Sequence, residues 1–208
     1  RDAIALATDG RNGPVALDFP SNFDDDDCGE LPTQPPPYLE APPNSASLER
    51  AQALIDRSTR PLVVVGADVA MTGATDDLVT FVEGIGGTVI SNMNARGIFP
   101  ESHPRCAGVM VGNYIPNTLE GELADLCDLV VLVGADSLMT HVPWGFNMPA
   151  IELVSRPEYR TTVLEPEVRV DGSLSKSLRA LDGSKCEGVS IEEIDAAKQN
   201  VLKYFERP

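Results

Sequence analysis

Residues 60–104 read RPLVVVGADVAMTGATDDLVTFVEGIGGTVISNMNARGIFPESHP, and this stretch decides the fold class. Residues 62–65 are four consecutive apolar side chains, three of them valine, which is typical of a strand buried on both faces of a parallel sheet. A glycine turn at Gly66 and an amphipathic helix over residues 76–83 follow, and Thr88–Ser91 is the next predicted strand. The order strand, helix, strand predicts a right-handed crossover between parallel neighbours.

The same alternation continues along the rest of the chain. Further strands are predicted at Leu129–Val133, Ala150–Val154 and residues 161–164, and further helices at residues 45–55, 116–127, 174–181 and Ile191–Phe205. Ser45 or Ser47 is expected to cap the first of these helices, and the last has an apolar stripe of Ile194, Val201, Leu202 and Phe205. The sequence therefore predicts an α/β fold, a doubly wound Rossmann-like parallel sheet of about six strands with helices on both faces.

The first 44 residues have a different character. Residues 2–8 look like the end of a helix, and residues 14–19 are predicted to form a short strand. Residues 21–44 contain four consecutive aspartates, residues 24–27, and then a proline-rich run, so they are interpreted as an extended linker. The aspartates lack the alternating spacing and the glycine of a calcium loop, so a calcium site is disfavoured.

Composition excludes several classes of function. The chain has 208 residues, with 16 basic against 32 acidic side chains and a formal net charge of -16, which argues against nucleic-acid binding and an anionic membrane surface. The longest apolar runs are too short to span a bilayer, and no targeting segment is visible at Arg1. The four cysteines form no CxxC pair, which predicts reduced thiols and a cytoplasmic location: Cys28, Cys106, Cys127 and Cys186.

Three loops follow predicted strands, and ligands of open α/β sheets bind at that edge. A nucleotide pocket there would be lined by Gly66, Ala67, Asn92, Gly134 and Ala135. However, GADVAMTG is not GxGxxG, so a glycine that only allows a tight turn is the preferred interpretation.

The chain shows no catalytic motif. HExxH, GxSxG and the P-loop are all missing, and neither histidine has a partner in a catalytic spacing. His103 is expected to order its proline-flanked loop, and His141 lies beside Trp144 and Phe146, where packing against another domain is the simpler explanation. We therefore predict no catalytic and no metal-ligating residue in this chain.

The amino-acid sequences of several segments resemble those of one enzyme family. These segments are GPVALDFPSN at residues 13–22, the proline-rich linker, RPLVVVGA at residues 60–67, ARGIFPESHP at residues 95–104, AGVMVGNY at residues 107–114 and LADLCDLVVLVGADS at residues 123–137. In this order they resemble the thiamine diphosphate-dependent enzymes, which include acetohydroxyacid synthase, pyruvate oxidase and the 2-oxoacid decarboxylases. The resemblance covers about residues 1–183.

The resemblance implies a domain plan. Residues 1–20 would end a pyrimidine-binding domain, residues 21–44 would be the linker, residues 45–183 the central Rossmann-like domain, and residues 184–208 a helix or linker to the diphosphate-binding domain. Thiamine diphosphate and magnesium would bind between the outer domains of neighbouring subunits, so the parent is expected to be a homo-oligomer. The activating glutamate would precede this chain, and the GDG magnesium motif would follow it. Here the nearest string, Val170-Asp171-Gly172-Ser173, lacks the first glycine and the asparagine.

The resemblance leaves the central nucleotide site open, because some members hold FAD or ADP there and many decarboxylases hold neither. FAD-binding relatives typically have an arginine in the loop after the strand Leu129–Val133, whereas this chain has Asp136. A carboxylate would repel a diphosphate, so FAD and ADP are disfavoured and an empty pocket is expected.

Three hypotheses remain. The first is the central structural domain of a thiamine diphosphate-dependent 2-oxoacid decarboxylase or carboligase, not catalytic by itself. The second is a stand-alone module of the same fold that binds FAD, NAD or ADP. The third is a non-catalytic subunit that docks to separate catalytic chains.

Overall fold

The computed structural model describes residues 3–4, 7, 14–18, 40–112, 117–135, 145–156, 164–183 and 186–206. The chain divides into two compact units, Arg1–Glu40 and Ala41–Pro208. In the first unit, residues 14–18 are not in a strand, so the strand predicted at residues 14–19 is wrong over the part described. Their five side chains are all exposed, so the apolar residues that suggested a strand are not buried. The linker aspartates lie outside the described residues.

The second unit contains one sheet of six parallel strands in the order β3-β2-β1-β4-β5-β6. The strands are β1 Pro61–Val65, β2 Thr88–Ser91, β3 Cys106–Val109, β4 Leu129–Val133, β5 Ala150–Val154 and β6 Val168–Asp171. At the centre of the sheet, Val63 of β1 pairs with Val89 of β2 and with Val131 of β4. The predicted fold class, a Rossmann-like parallel sheet of about six strands, is confirmed.

The helices of this unit are α1 Ser45–Ile55, α2 Asp68–Met71, α3 Thr75–Ile85, α4 Leu119–Ala124, α5 Leu174–Ala180 and α6 Ile191–Phe205, with a 3-10 turn at Met93–Ala95. They cover both faces of the sheet because the strand side chains alternate between two cores. Val63 and Val65 face the core that includes residues of α1, α3 and α5. Leu62 and Val64 face the core that includes residues of α4 and α6. Burial on both faces explains why the central strands are continuous apolar runs.

Two helix boundaries differ from the prediction. The side chain that caps α1 is Asn44, whose Oδ1 accepts a hydrogen bond from the Ser47 nitrogen at 3.0 Å, and not Ser45 or Ser47. The helix predicted at residues 116–127 is only Leu119–Ala124, because Thr118 caps its start through the Gly121 nitrogen. The apolar pattern continued beyond the end of α4 because the next residues pack on the same core.

Both edge strands were missed. The sequence CAGV of β3 is poor in strand-forming residues, and its pairing with β2 is irregular between Val89 and Ile90. The sequence VRVD of β6 alternates polar and apolar residues over only four positions. A strand was predicted at residues 161–164 instead. Residues 161–163 lie outside the described residues, and Leu164 is not in a strand.

The last helix, α6, has the predicted bounds, but its apolar stripe is not buried along its length. Ile194 and Ala197 are buried, whereas Leu202 is 53% exposed and Phe205 is 75% exposed. The sheet offers a surface only to the first half of α6. None of the helices in the described parts of the chain is long and apolar enough to cross a membrane.

Candidate functional site at the carboxyl edge of the sheet

The strand order places the switch point of the sheet between β1 and β4, because the chain proceeds from β1 to β2 and β3 on one side and then returns to β4 on the other. Ligands of doubly wound sheets bind in the crevice that opens there, beyond the carboxyl ends of the strands. Gly66 and Ala67 follow β1, and Gly134 and Ala135 follow β4. The structure therefore brings four of the five predicted pocket residues to this switch point.

The loops after β1 and β4 are packed directly against each other. The Gly66 nitrogen donates to the Val133 oxygen at 2.9 Å, and the Asp68 nitrogen donates to the Gly134 oxygen at 3.3 Å. A Cβ added to Gly66 would lie 1.9 Å from the Gly134 oxygen. Gly134 itself has a φ of 57°, in the left-handed region that favours glycine. These two glycines therefore allow backbone to contact backbone at the switch point.

Asp68 closes the crevice further by crossing to the end of β5. Its carboxylate is buried, with Oδ2 accepting from the Ser155 nitrogen at 3.1 Å and Oδ1 accepting from the Ser155 hydroxyl at 2.9 Å. Sequence reasoning missed this pair. The available signal was an acidic residue directly after the glycine turn, but Ser155, which is 87 positions away, carries no motif.

The remaining predicted residues take structural positions. Ala67 is the N-cap residue of α2, and Ala135 is buried in the core beneath α4 and α6. Asn92 is buried at the end of β2, where its backbone nitrogen donates to the Val65 oxygen at 2.8 Å. Asn92 thus lies on the β2 side of β1, away from the β4 loop. Residues 136–144, with Asp136, His141 and Trp144, lie outside the described residues.

A second cleft, of about 290 Å³, opens along edge strand β3. Its polar lining consists of Ser91, Arg96, Glu101, Cys106 and Lys198. Burial raises the pKa of the Cys106 thiol, which favours the protonated form over the reactive thiolate. Three cysteines in the described residues, Cys106, Cys127 and Cys186, are free thiols.

His103 orders its loop, as predicted. Its Nδ1 accepts a hydrogen bond from the Arg105 nitrogen at 3.2 Å, and its Nε2 lies 3.3 Å from the Glu83 carboxylate. Its ring packs edge-on against Phe99, with 5.0 Å between the ring centres. These contacts hold the loop before β3 against α3.

The string at residues 170–173 is held in place by backbone hydrogen bonds. The Gly172 nitrogen donates to the Val154 oxygen and the Ser173 nitrogen donates to the Ala41 oxygen, both at 2.9 Å. The end of β6 is therefore packed against β5 and the start of the unit. Among the described residues, no three His, Cys, Asp or Glu side chains form a group that could hold a metal ion.

With this geometry established, the comparisons with known proteins decide the family. The model of the thiamine pyrophosphate enzyme central domain matches residues 48–181, which is well over half of the chain. The chain belongs to the thiamine pyrophosphate enzyme central-domain family. This match confirms the resemblance of the sequence to the thiamine diphosphate-dependent enzymes.

Curated relatives of this central domain include acetolactate synthases. The large subunit from Corynebacterium glutamicum is 32% identical over 141 residues, covering 64% of this chain and 22% of that protein. Acetolactate synthase 2, chloroplastic, of Zea mays is 33% identical over 110 residues, covering 50% of this chain and 17% of that protein. The chain thus spans less than a quarter of the length of either relative.

A solved structure supports the fold. Benzoylformate decarboxylase from Polynucleobacter necessarius matches with a TM-score of 0.59 and 20% identity, covering 74% of this chain and 30% of that one. At this identity the likeness supports the arrangement of strands and helices alone.

Proposed function

We propose that this central domain joins and spaces the two catalytic domains of a thiamine diphosphate-dependent 2-oxoacid decarboxylase or carboligase. The observation that carries the proposal is the family match over residues 48–181, since it covers the central domain and nothing else. The parent enzyme would release carbon dioxide from a 2-oxo acid, with chemistry supplied by thiamine diphosphate. The chain by itself would not be catalytic.

Thiamine diphosphate and magnesium would be held by the pyrimidine- and diphosphate-binding domains of the parent. The sequence of residues 170–173 supports this assignment, because it lacks the first glycine and the asparagine of the GDG motif. Around the switch point, protein groups likewise bond to one another, as in the Asp68 and Ser155 pair.

We further propose that the switch-point crevice holds neither FAD nor ADP. A diphosphate needs backbone nitrogens that point into an open crevice. Here the Gly66 nitrogen bonds to Val133, the Gly134 nitrogen bonds to Leu153, and the Asp68 carboxylate occupies the Ser155 hydroxyl. If FAD or ADP bound after all, the residues around it would be Gly66, Ala67, Asn92, Gly134 and Ala135.

The parent enzyme would be a cytoplasmic homo-oligomer. Residues 1–20 would end its pyrimidine-binding domain, and residues 21–44 would form a linker. Residues 45–183 would be the central domain, and residues 184–208 would lead to the diphosphate-binding domain. Acidic side chains outnumber basic ones, which argues against nucleic acid as a partner of the parent enzyme.

An activity assay tests the proposal. Carbon dioxide release from pyruvate and from benzoylformate would be measured for this chain and for the product of the full transcript, with and without thiamine diphosphate and magnesium. The full product should release carbon dioxide only with the cofactor, and this chain should release none. Cofactor-dependent release by the chain alone, or a transcript without flanking domains, would contradict the proposal.

A further inference from the structure

We propose that Ser155 forms an anion-binding site at the switch point, and that the chain fills this site with its own Asp68 carboxylate. The site is assigned from donors that converge on one buried carboxylate, and its ligand class is a carboxylate or a phosphate oxygen. This inference deepens, and rests on, the proposed nucleotide-free crevice, because it names the group that keeps a diphosphate out.

The donors are oriented by the sheet. Ser155 directly follows β5, so its backbone nitrogen is fixed by the strand, and it donates to Asp68 Oδ2 at 3.1 Å. The Ser155 hydroxyl donates to the other oxygen, Oδ1, at 2.9 Å. The two residues are only 4% and 7% exposed, so water does not compete freely for these bonds.

The geometry is that of anion recognition. A backbone N–H and a hydroxyl that bind the two oxygens of one carboxylate offer the same donors that a phosphate group accepts. Their position beyond the carboxyl end of β5, beside the β1–β4 switch point, is where doubly wound sheets bind anionic ligands. In this chain the anion is tethered, because Asp68 lies at the start of α2.

The tethered carboxylate also excludes a competing anion. It occupies both Ser155 donors, so a competing anion would have to displace it. Removing the carboxylate while retaining Ser155 should therefore expose an anion site that a small free anion can enter.

The test is chemical rescue of an Asp68→Ala variant of the 208-residue chain. Thermal unfolding would be recorded in formate, acetate and inorganic phosphate against chloride at matched ionic strength. If the anion is present at about 100 mM and this is about ten times its dissociation constant, Tm should rise by about 3 to 6 °C. The matched control is Asp76→Ala, which removes an exposed carboxylate from the first turn of α3.

The outcomes separate cleanly. Formate or acetate should raise the Tm of Asp68→Ala beyond any effect on the wild type and on Asp76→Ala, and Ser155→Ala combined with Asp68→Ala should weaken the rescue. Equal effects of all anions on all variants would overturn the inference. If Asp68→Ala does not fold, the hydrogen exchange of the Ser155 amide would be measured in Asp68→Asn instead. Exchange at least about tenfold faster than in the wild type supports the inference. Exchange at the wild-type rate overturns it.

A titration of the same proteins with ADP tests the proposed function separately. Binding of ADP by the wild type would contradict the nucleotide-free crevice even if the anion rescue succeeds. Failure of the rescue with no binding of ADP by the wild type would contradict only the role of Asp68.

Discussion

The carboxylate of Asp128 accepts a hydrogen bond from the backbone nitrogen of Thr59 at 2.8 Å and thereby joins the start of β4 to the turn before β1. Its oxygens also accept from the Thr59 hydroxyl at 2.8 Å, the Ser58 hydroxyl at 2.5 Å and the Arg60 nitrogen at 3.0 Å. This cluster holds the start of β4 beside the start of β1.

Asp128→Asn should lower the free energy of unfolding by about 1 kcal/mol, because an amide has one acceptor oxygen for donors that need two, and the exposed position limits the loss. Urea unfolding would measure it. Asp125→Asn, an exposed change three residues earlier, should have little effect. Equal losses in both variants would show that the Asp128 cluster has no special role.

The same cluster predicts a dependence on pH. Burial by itself would raise the pKa of the Asp128 carboxyl, but the bonds from Ser58, Thr59 and Arg60 outweigh it and lower the pKa below its ordinary value. A carboxyl with a lowered folded pKa stabilises the fold above its unfolded pKa of about 4, and this stabilisation is lost as pH falls through the folded pKa.

The difference in unfolding free energy between the wild type and Asp128→Asn should therefore be constant from pH 7 to about pH 5 and shrink below about pH 4. Comparing the two proteins cancels the effect of the large net charge. A difference that stays constant down to about pH 2 would contradict the assignment.

Gly66→Ala should be strongly destabilising, by about 3 kcal/mol or more, because the added Cβ would meet the Gly134 oxygen at 1.9 Å and the Ala135 Cα at 2.3 Å. Both contacts are to backbone that cannot rotate away. Gly84→Ala is the matched control, since its Cβ would meet nothing within 4 Å inside α3. It should stabilise the chain by about 0.5 to 1 kcal/mol in the same urea experiment. A mild effect at Gly66 would mean that the two loops are not in contact.

Arg169→Met tests the ion pair between the edge strand β6 and its neighbour β5. The guanidinium of Arg169 on β6 pairs with Glu152 on β5, whose side chain is 0% exposed. Removing the cation takes one charged partner away from a buried carboxylate, which should lower the free energy of unfolding by about 3 kcal/mol.

The control is Arg179→Met, whose ion pair with Asp77 involves a side chain that is 72% exposed. Its loss should be much smaller, because water replaces the contact. Similar losses for the two arginines, measured by thermal unfolding, would contradict the difference in burial.

The central part of the fold could be predicted because physical signals there are strong. The apolar runs of β1 and β4 are buried on both faces, so they could be recognised as strands without knowing which strands they pair with or in which register. The edge strands β3 and β6 could not be predicted in the same way. They are short, they contain glycine or charged residues, and pairing with β2 and β5 rather than local propensity makes them strands.

The sequence indicated which strand ends meet at the candidate site, but it did not indicate the contacts that these loops make there. The glycines after β1 and β4 marked the switch point, since tight strand-to-helix turns need them. That the loops pack on each other, and that Asp68 reaches Ser155, depends on the approach of segments far apart in the chain. No local pattern encodes such a contact.

We expect this domain to act as a scaffold, because protein groups bond to one another at its switch point. Calorimetric titration of the 208-residue chain with FAD, with ADP and with thiamine diphosphate plus magnesium tests this expectation. No saturable heat is expected with any of them up to about millimolar concentration, the range of weak affinity. Stoichiometric binding of any one at micromolar affinity would contradict it.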